Sequence, residues 1–154
     1  MLRAPFTMFK ALVTVALIAC SLSLSANDRM QSFGQWDAHY MVLPTTKLSQ
    51  EVANSYGITR SNNMAFANIA IMDNAAPTLT GVPSNLTGQY TNLVGQTRDL
   101  EFEEIVEGDA VYYIAVFRFP HRERLRFSID FQPEPDDRTY TLEFQQEIYR
   151  EDRP

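Results

Sequence analysis

From residue 33 onward, hydrophobic and polar positions mostly alternate with a period of two, as in half-buried strands. Between 33 and 43, Trp36, Ala38, Tyr40 and Val42 share a face, and Gln35, Asp37 and His39 take the other. The clearest case is RLRFSIDF. It sets Leu125, Phe127, Ile129 and Phe131 against Arg124, Arg126, Ser128 and Asp130 without a slip. In TYTLEFQQEIY, Tyr140, Leu142 and Phe144 fall inward. Two runs, NMAFANIAIM at 63–72 and AVYYIAVFRF at 110–119, are apolar on both faces and predict central strands.

Other stretches break the pattern. LSQEVANSYG at 48–57 predicts at most one short helix, with Ser49 as cap, Gly57 as terminator, and Val52 and Tyr56 on a shared side. Residues 78–93 contain Gly81, Pro83 and Gly88 and predict a bent or broken edge strand. In RDLEFEEIV the inward phase of Leu100 and Phe102 slips near Glu104, which predicts a bulge. Turns fall at 73–77, at Gly95, at Glu107-Gly108-Asp109, after Pro120 and at QPEPDD. About seven strands with short turns predict an all-β, antiparallel two-sheet sandwich of immunoglobulin or fibronectin type, with a closed barrel second.

The N-terminus reads differently. Arg3 and Lys10 precede the uncharged run ALVTVALIA, the layout of a secretory signal. Two processing sites compete: cleavage after Ala26, or acylation of Cys20 in Leu-Ile-Ala-Cys, which resembles the lipobox of bacterial lipoproteins. The half-apolar Ser-Leu-Ser-Leu-Ser after Cys20 is a poor tether, so release after Ala26 is favoured. That divides the chain into a signal peptide, 1–26, and one domain, 27–154. It predicts a periplasmic protein with no membrane span after processing, or else a lipoprotein anchored to the outer membrane.

Composition narrows the functions. The full chain has a formal charge of −6, and without Arg3 and Lys10 it keeps 11 basic against 19 acidic residues, or −8. Such a chain is repelled by nucleic-acid phosphates. Cys20 is the sole cysteine, so no internal disulfide forms. The two histidines, His39 and His121, are far apart in sequence, and with Asp37 as the one near carboxylate they are a poor basis for a zinc or copper site. No G-x-S-x-G elbow is present. The expectation is no catalytic residue, no metal and no cofactor. The acids of 99–109 read as a charged sheet face, with Glu101 and Glu103 paired to Arg118, Arg122, Arg124 or Arg126 if those strands are neighbours. An arginine-lined anion site is the sharper alternative.

Several stretches together, FGQWDAHY (33–40), SYGITRSNN (55–63), TNLVGQ (91–96), LEFEEIVEGDAVYYIAVFRFP (100–120), LRFSIDFQP and the late LEFQQEIY, resemble the bacterial domain-of-unknown-function family 4426 in order and spacing. The resemblance implies a small envelope protein of a Gram-negative bacterium, and carries no activity or catalytic residue with it. Within it, YGITRSN at 56–62 is the stretch to probe for binding, with Tyr56, Arg60 and Asn62 in a loop before a central strand. The functional expectation is a non-enzymatic binding or accessory module that meets another envelope protein through its loops or an open sheet edge. The alternatives are a hydrolase or metal-dependent enzyme assembled from distant residues, and a lipid-anchored structural protein.

Overall fold

The computed structural model describes residues 29–150 except 79 and 121. Cys20, Ala26 and the whole targeting segment lie outside the described residues, as does His121. Nine strands form two antiparallel sheets that face each other. The five-stranded sheet runs β1 (Met30–Phe33), β2 (Trp36–Pro44), β3 (Met64–Asp73), β7 (Ala110–Arg118), β6 (Glu103–Glu107). The four-stranded sheet runs β5 (Thr97–Leu100), β4 (Ser84–Thr91), β8 (Arg122–Pro133), β9 (Tyr140–Tyr149). Both sheets are open, so the fold is a sandwich and no barrel. Among the described residues no helix is long and apolar enough to cross a membrane.

The core follows the alternation. Leu125, Phe127, Ile129 and Phe131 are fully buried on β8, facing Trp36, Ala38 and Val42 of β2 across the gap. Stacked aromatic pairs, Phe127 on Phe144 at 4.8 Å and Tyr40 on Phe144 at 4.2 Å, fill the space between the sheets. Ala65, Ala67, Ile69 and Ile71 line the inner face of β3, and its outer face buries Phe66 as well. This is why that run carries apolar residues on both sides. Phe66 belongs to a second, smaller core on the outside of the five-stranded sheet. There the helix α1 (Gln50–Ser55) and its following loop set Ala53 and Ile58 over Phe66 and Ile114. Ser49 caps α1 by accepting a hydrogen bond from the Val52 N–H, as its sequence position predicts. The buried contact of the helix is Ala53, however, and Val52 is exposed, so of the expected Val52–Tyr56 side Tyr56 alone packs against the small core.

Three further expectations are corrected. Residues 84–91 form one continuous strand, β4, that lies between β5 and β8 and is no edge. The slip near Glu104 is a change of sheet: β5 ends at Leu100 in one sheet and β6 begins at Glu103 in the other. Leu100 is therefore buried in phase with β5, while Ile105 packs on the opposite, outer face of the larger sheet. A sheet switch resets the alternation as a bulge does, and from sequence the two look alike. This one split, together with the short hairpin strand β1 ahead of Trp36, raises the count from about seven to nine among the described residues.

The ion pairs are also different. β6, which starts at Glu103, pairs with β7, whereas β8, which bears Arg122, Arg124 and Arg126, is in the other sheet. Arg122 and Arg124 instead reach Glu147 on β9, at 2.8 and 3.7 Å. Among the described residues no ion pair joins Glu101 or Glu103 to these arginines.

Candidate functional site

β6 ends the larger sheet. It is joined to β7 by a two-residue turn, Gly108-Asp109, in which Gly108 has φ +59° and no other residue has positive φ. Glycine at the first central position with a negative φ after it is the primed hairpin geometry that matches strand twist. The turn closes on Glu107 and Ala110, so Ile105↔Tyr112 and Glu103↔Ile114 are the other pairs that exchange backbone hydrogen bonds. The alternate residues, Glu104 and Val106, turn their backbone N–H and C=O groups away from β7. Nothing in the sheet order lies on that side, and the Val106 side chain is 61% exposed.

Beside this edge, on the outer face, lies a cleft of about 230 Å³ lined by Tyr56, Gly57, Ile58, Glu101, Glu103, Ile105, Ile114 and Val116. Its floor is apolar and comes from three elements: Ile58 after α1, Ile105 on β6, and Ile114 and Val116 on β7. Its rim is acidic. Glu101 and Glu103 are both exposed at the sheet switch.

Tyr56 ties the loop to the edge. Its hydroxyl donates to the Glu107 carboxylate, leaving its oxygen to accept from the Tyr112 hydroxyl at 2.8 Å. The two tyrosine hydroxyls hold the Glu107 carboxyl below its usual range, Tyr56 most strongly. Burial first, and the bonds to Tyr56 and Glu107 next, push Tyr112 well above the usual tyrosine range. Tyr112 therefore stays a neutral donor across the physiological range, and Glu107 stays an anion. Such a group fixes a loop; it has no proton to exchange near neutrality.

Of the three residues singled out in YGITRSN, Tyr56 alone lines this cleft. Arg60 turns away and donates to the Thr46 carbonyl at 3.1 Å, tying the loop to the short 3₁₀ turn Thr45–Lys47. The Asn62 carbonyl accepts from Arg150 at 3.4 Å, and its side chain takes no part in the cleft. The missed residues are Glu101, Glu103, Ile105 and Val116. For Glu101, Glu103 and Ile105 the signal was the slip near Glu104, which marks where the chain leaves one sheet to edge the other, and for Val116 it was the apolar character of both faces of β7.

The remaining chemistry is dispersed. His39 is on the outer face of β2, in a separate cavity of about 360 Å³ lined by Arg29, Met30, His39, Tyr40, Met41, Asn68 and Ala70, with no carboxylate among them. Asp37, the expected partner of His39, is engaged by Ser32 Oγ at 2.6 Å and Asn74 Nδ2 at 3.1 Å. Among the described residues no three His, Cys, Asp or Glu side chains gather as a metal site. The arginines are split as well. Arg118 lines a cavity with Arg98 and Glu123, and Arg126 lines another with Arg124.

Comparison with known proteins places this arrangement. A family model described as a domain of unknown function, DUF4426, matches residues 30–151. The crystal structure of a DUF4426 family protein from Pseudomonas aeruginosa PAO1 is similar, with 30% identity and a TM-score of 0.69. The match covers 80% of this chain and 95% of that one. FetP of uropathogenic Escherichia coli strain F11, isolated after recombinant expression in the periplasm, shares the fold at 10% identity and a TM-score of 0.57, covering 78% of this chain and 92% of that one. A copper-bound variant of FetP matches at 9% identity and a TM-score of 0.55, over 77% and 92% of the two chains. No curated protein matches the chain.

Proposed function

This chain belongs to the DUF4426 family of unknown function, and from that membership we propose that it is a periplasmic, non-enzymatic binding module of the cell envelope. Its partner is another envelope protein, which adds an extended segment to the free side of β6. The observation that carries this reading is the juxtaposition of an unpaired edge with a cleft whose floor is apolar and whose rim is acidic. Strand addition draws affinity from main-chain hydrogen bonds and specificity from pockets that take alternate side chains. Glu104 and Val106 offer the main-chain groups. The cleft offers one pocket, suited to an aliphatic side chain flanked by lysine or arginine that meets Glu101 and Glu103. The net charge of the mature chain favours the same basic partner.

The periplasmic location is supported by the charged-then-apolar N-terminus, and by the fold shared with FetP, a protein that was expressed in that compartment. A hydrolase or metal-dependent enzyme would be favoured by a polar pocket holding His39 or His121 beside acids, and His121 lies outside the described residues. The cavity that holds His39 has no acid among its lining residues.

A photo-crosslinking residue at Glu103 tests the proposal in cells, with and without Val106→Pro. The Val106 N–H points away from β7, so proline there keeps the fold but removes a donor from the free edge. One discrete adduct is expected with the crosslinker alone, and its loss in the Val106→Pro chain at unchanged thermal stability. An adduct indifferent to Val106→Pro, or one formed only from a crosslinker at Asn85 on the other sheet, would overturn the reading.

A further inference from the structure

On the outer face of the larger sheet, at the end away from β6, the hairpin of β1 and β2 gathers two thioethers and an imidazole. The Tyr40 N–H donates to the Arg29 carbonyl at 2.8 Å, which makes 29 and 40 a hydrogen-bonded pair. The next pair, Met30↔His39, is then a non-hydrogen-bonded one, the kind whose Cα atoms approach to about 4.5 Å and whose side chains lie closest. Met41 follows His39 on the same face of β2, roughly 7 Å along the strand. All three side chains line the same cavity of about 360 Å³. Across from His39 on β3 is Ala70, whose methyl group leaves the floor open. Across from Met41 is Asn68.

Asn68 supplies the independent sign. Its side-chain oxygen is buried and has no hydrogen-bond partner. A buried amide oxygen without a partner forfeits its hydration with nothing in return, so such an atom calls for a reason. Asn68 lines the same cavity as His39, at the diagonal position across the strand pair. When one imidazole nitrogen binds a metal, the other carries a proton and needs an acceptor. The Asn68 oxygen is such an acceptor.

We propose that Met30, His39 and Met41 form a binding site for a monovalent soft metal ion, Cu(I), with Asn68 as the acceptor that orients His39. The donor set selects the ion. Thioether sulfur is a soft ligand that favours Cu(I), while calcium, magnesium and manganese require carboxylate or carbonyl oxygens. No carboxylate lines the cavity, and Arg29 at its wall adds a positive charge. Both features weigh more heavily against a divalent ion than against a singly charged one bound by neutral ligands. The site is separate from the β6 edge and does not depend on it, since β1 and β2 stand at the other end of the sheet and β3 in its middle.

Competition against bicinchoninate, which reports Cu(I) by its colour, tests this on the purified protein under a reductant. The protein is expected to withdraw one equivalent of Cu(I). Loss of one ligand, in Met30→Leu, His39→Ala or Met41→Leu, is expected to weaken binding at least about tenfold, the lower end of what even an outer-shell change costs. The methionine-to-leucine changes keep volume and apolar character, so they preserve the fold. Met64, on the same face but outside the cavity, gives the control: Met64→Leu leaves binding unchanged. To keep the readout independent of Cys20, a thiol wherever the full chain is used, the same titration is read by methionine methyl NMR with Ag(I). The Met30 and Met41 signals should move and that of Met64 stay. No Cu(I) withdrawn from the indicator, equal binding by all variants, movement of Met64 alone, or tighter binding of Zn²⁺ than of Cu(I) would each overturn the proposal.

Discussion

Tyr113 shows how much one side chain can carry. It is 4% exposed on the inner face of β7, and its hydroxyl accepts from the Ser84 N–H at 2.6 Å while donating to Glu104 at 2.8 Å. Ser84 opens β4 in the other sheet and is itself buried, so this hydroxyl links the two layers. Tyr113→Phe leaves the Ser84 N–H without a partner in the core and should cost about 1–3 kcal/mol in urea unfolding. An undiminished midpoint would show that water replaces the hydroxyl. Burial foremost, with the bond to Glu104 adding to it, pushes Tyr113 up to about 12, above the ordinary value of 10.0. A group whose folded pKa is raised gives its full stability below the unfolded value and loses it as pH rises through the folded one. Stability should therefore fall between about pH 10 and pH 12, and more gently in Tyr113→Phe, where Tyr112 remains as a second raised tyrosine.

The strands were legible wherever one face alone is buried. β8 and β9 alternate cleanly because each has one face on the core and one in water, so Phe127 and Phe144 could be placed by counting. Where a strand changes neighbours, counting fails. The chain between Leu100 and Glu103 passes from one sheet to the other, and which acids then stand beside which arginines is fixed by sheet order, a property no local window contains. β4 was misplaced for a related reason. Gly81, Pro83 and Gly88 suggest a broken edge, yet the glycines mark close packing. A Cβ on Gly81 would sit 2.4 Å from the Val111 backbone nitrogen, and one on Gly88 3.0 Å from Ile129. Gly81 also donates to the Asp109 carbonyl at 3.1 Å, so the segment before β4 is laid directly against the start of β7. Backbone cannot swing aside as a side chain can. Gly81→Ala is expected to destabilise by about 2 kcal/mol or more, the upper part of the overpacking range, whereas an exposed loop position such as Leu93→Ala should change stability by less than about 0.5 kcal/mol. Chemical denaturation of the two variants checks the contrast, and equal stabilities would mean that the segment moves away from β7 at little cost. The cleft was half legible. Tyr56 was picked out by its loop, but its acidic rim depends on the sheet change, and the thioether pair Met30 and Met41 depends on hairpin register.

The whole molecule has two cores of unequal size. The large one fills the space between the sheets and joins strands from 30 to 149, so it forms or is lost as a unit. The small one lies outside, under α1, and is built on four buried residues: Ala53, Ile58, Phe66 and Ile114. Helix α1 spans six residues, far below the length at which a helix is stable alone, so it is held by this contact and by the Tyr56 bonds to Glu107 and Tyr112. Opening it exposes little apolar surface and leaves the sandwich closed. A local opening of α1 and its loop should therefore cost much less free energy than global unfolding. The Ile58 N–H, which bonds to the Ala53 carbonyl at 2.8 Å, reports that opening, and amides of β8 around Phe127 report the global event. Native-state hydrogen exchange should show Ile58 exchanging orders of magnitude faster than Phe127, with little dependence on denaturant. Tyr56→Phe should speed Ile58 further and leave Phe127 unchanged, because it removes the tie from the loop to β6 and nothing from the main core. Equal protection at the two sites would mean that the cores open together. For the strand addition proposed at this edge the consequence is direct: the loop that opens carries Tyr56 and Ile58, one wall of the cleft beside the free edge, so that wall would adjust to an added segment while β6 stays fixed to β7.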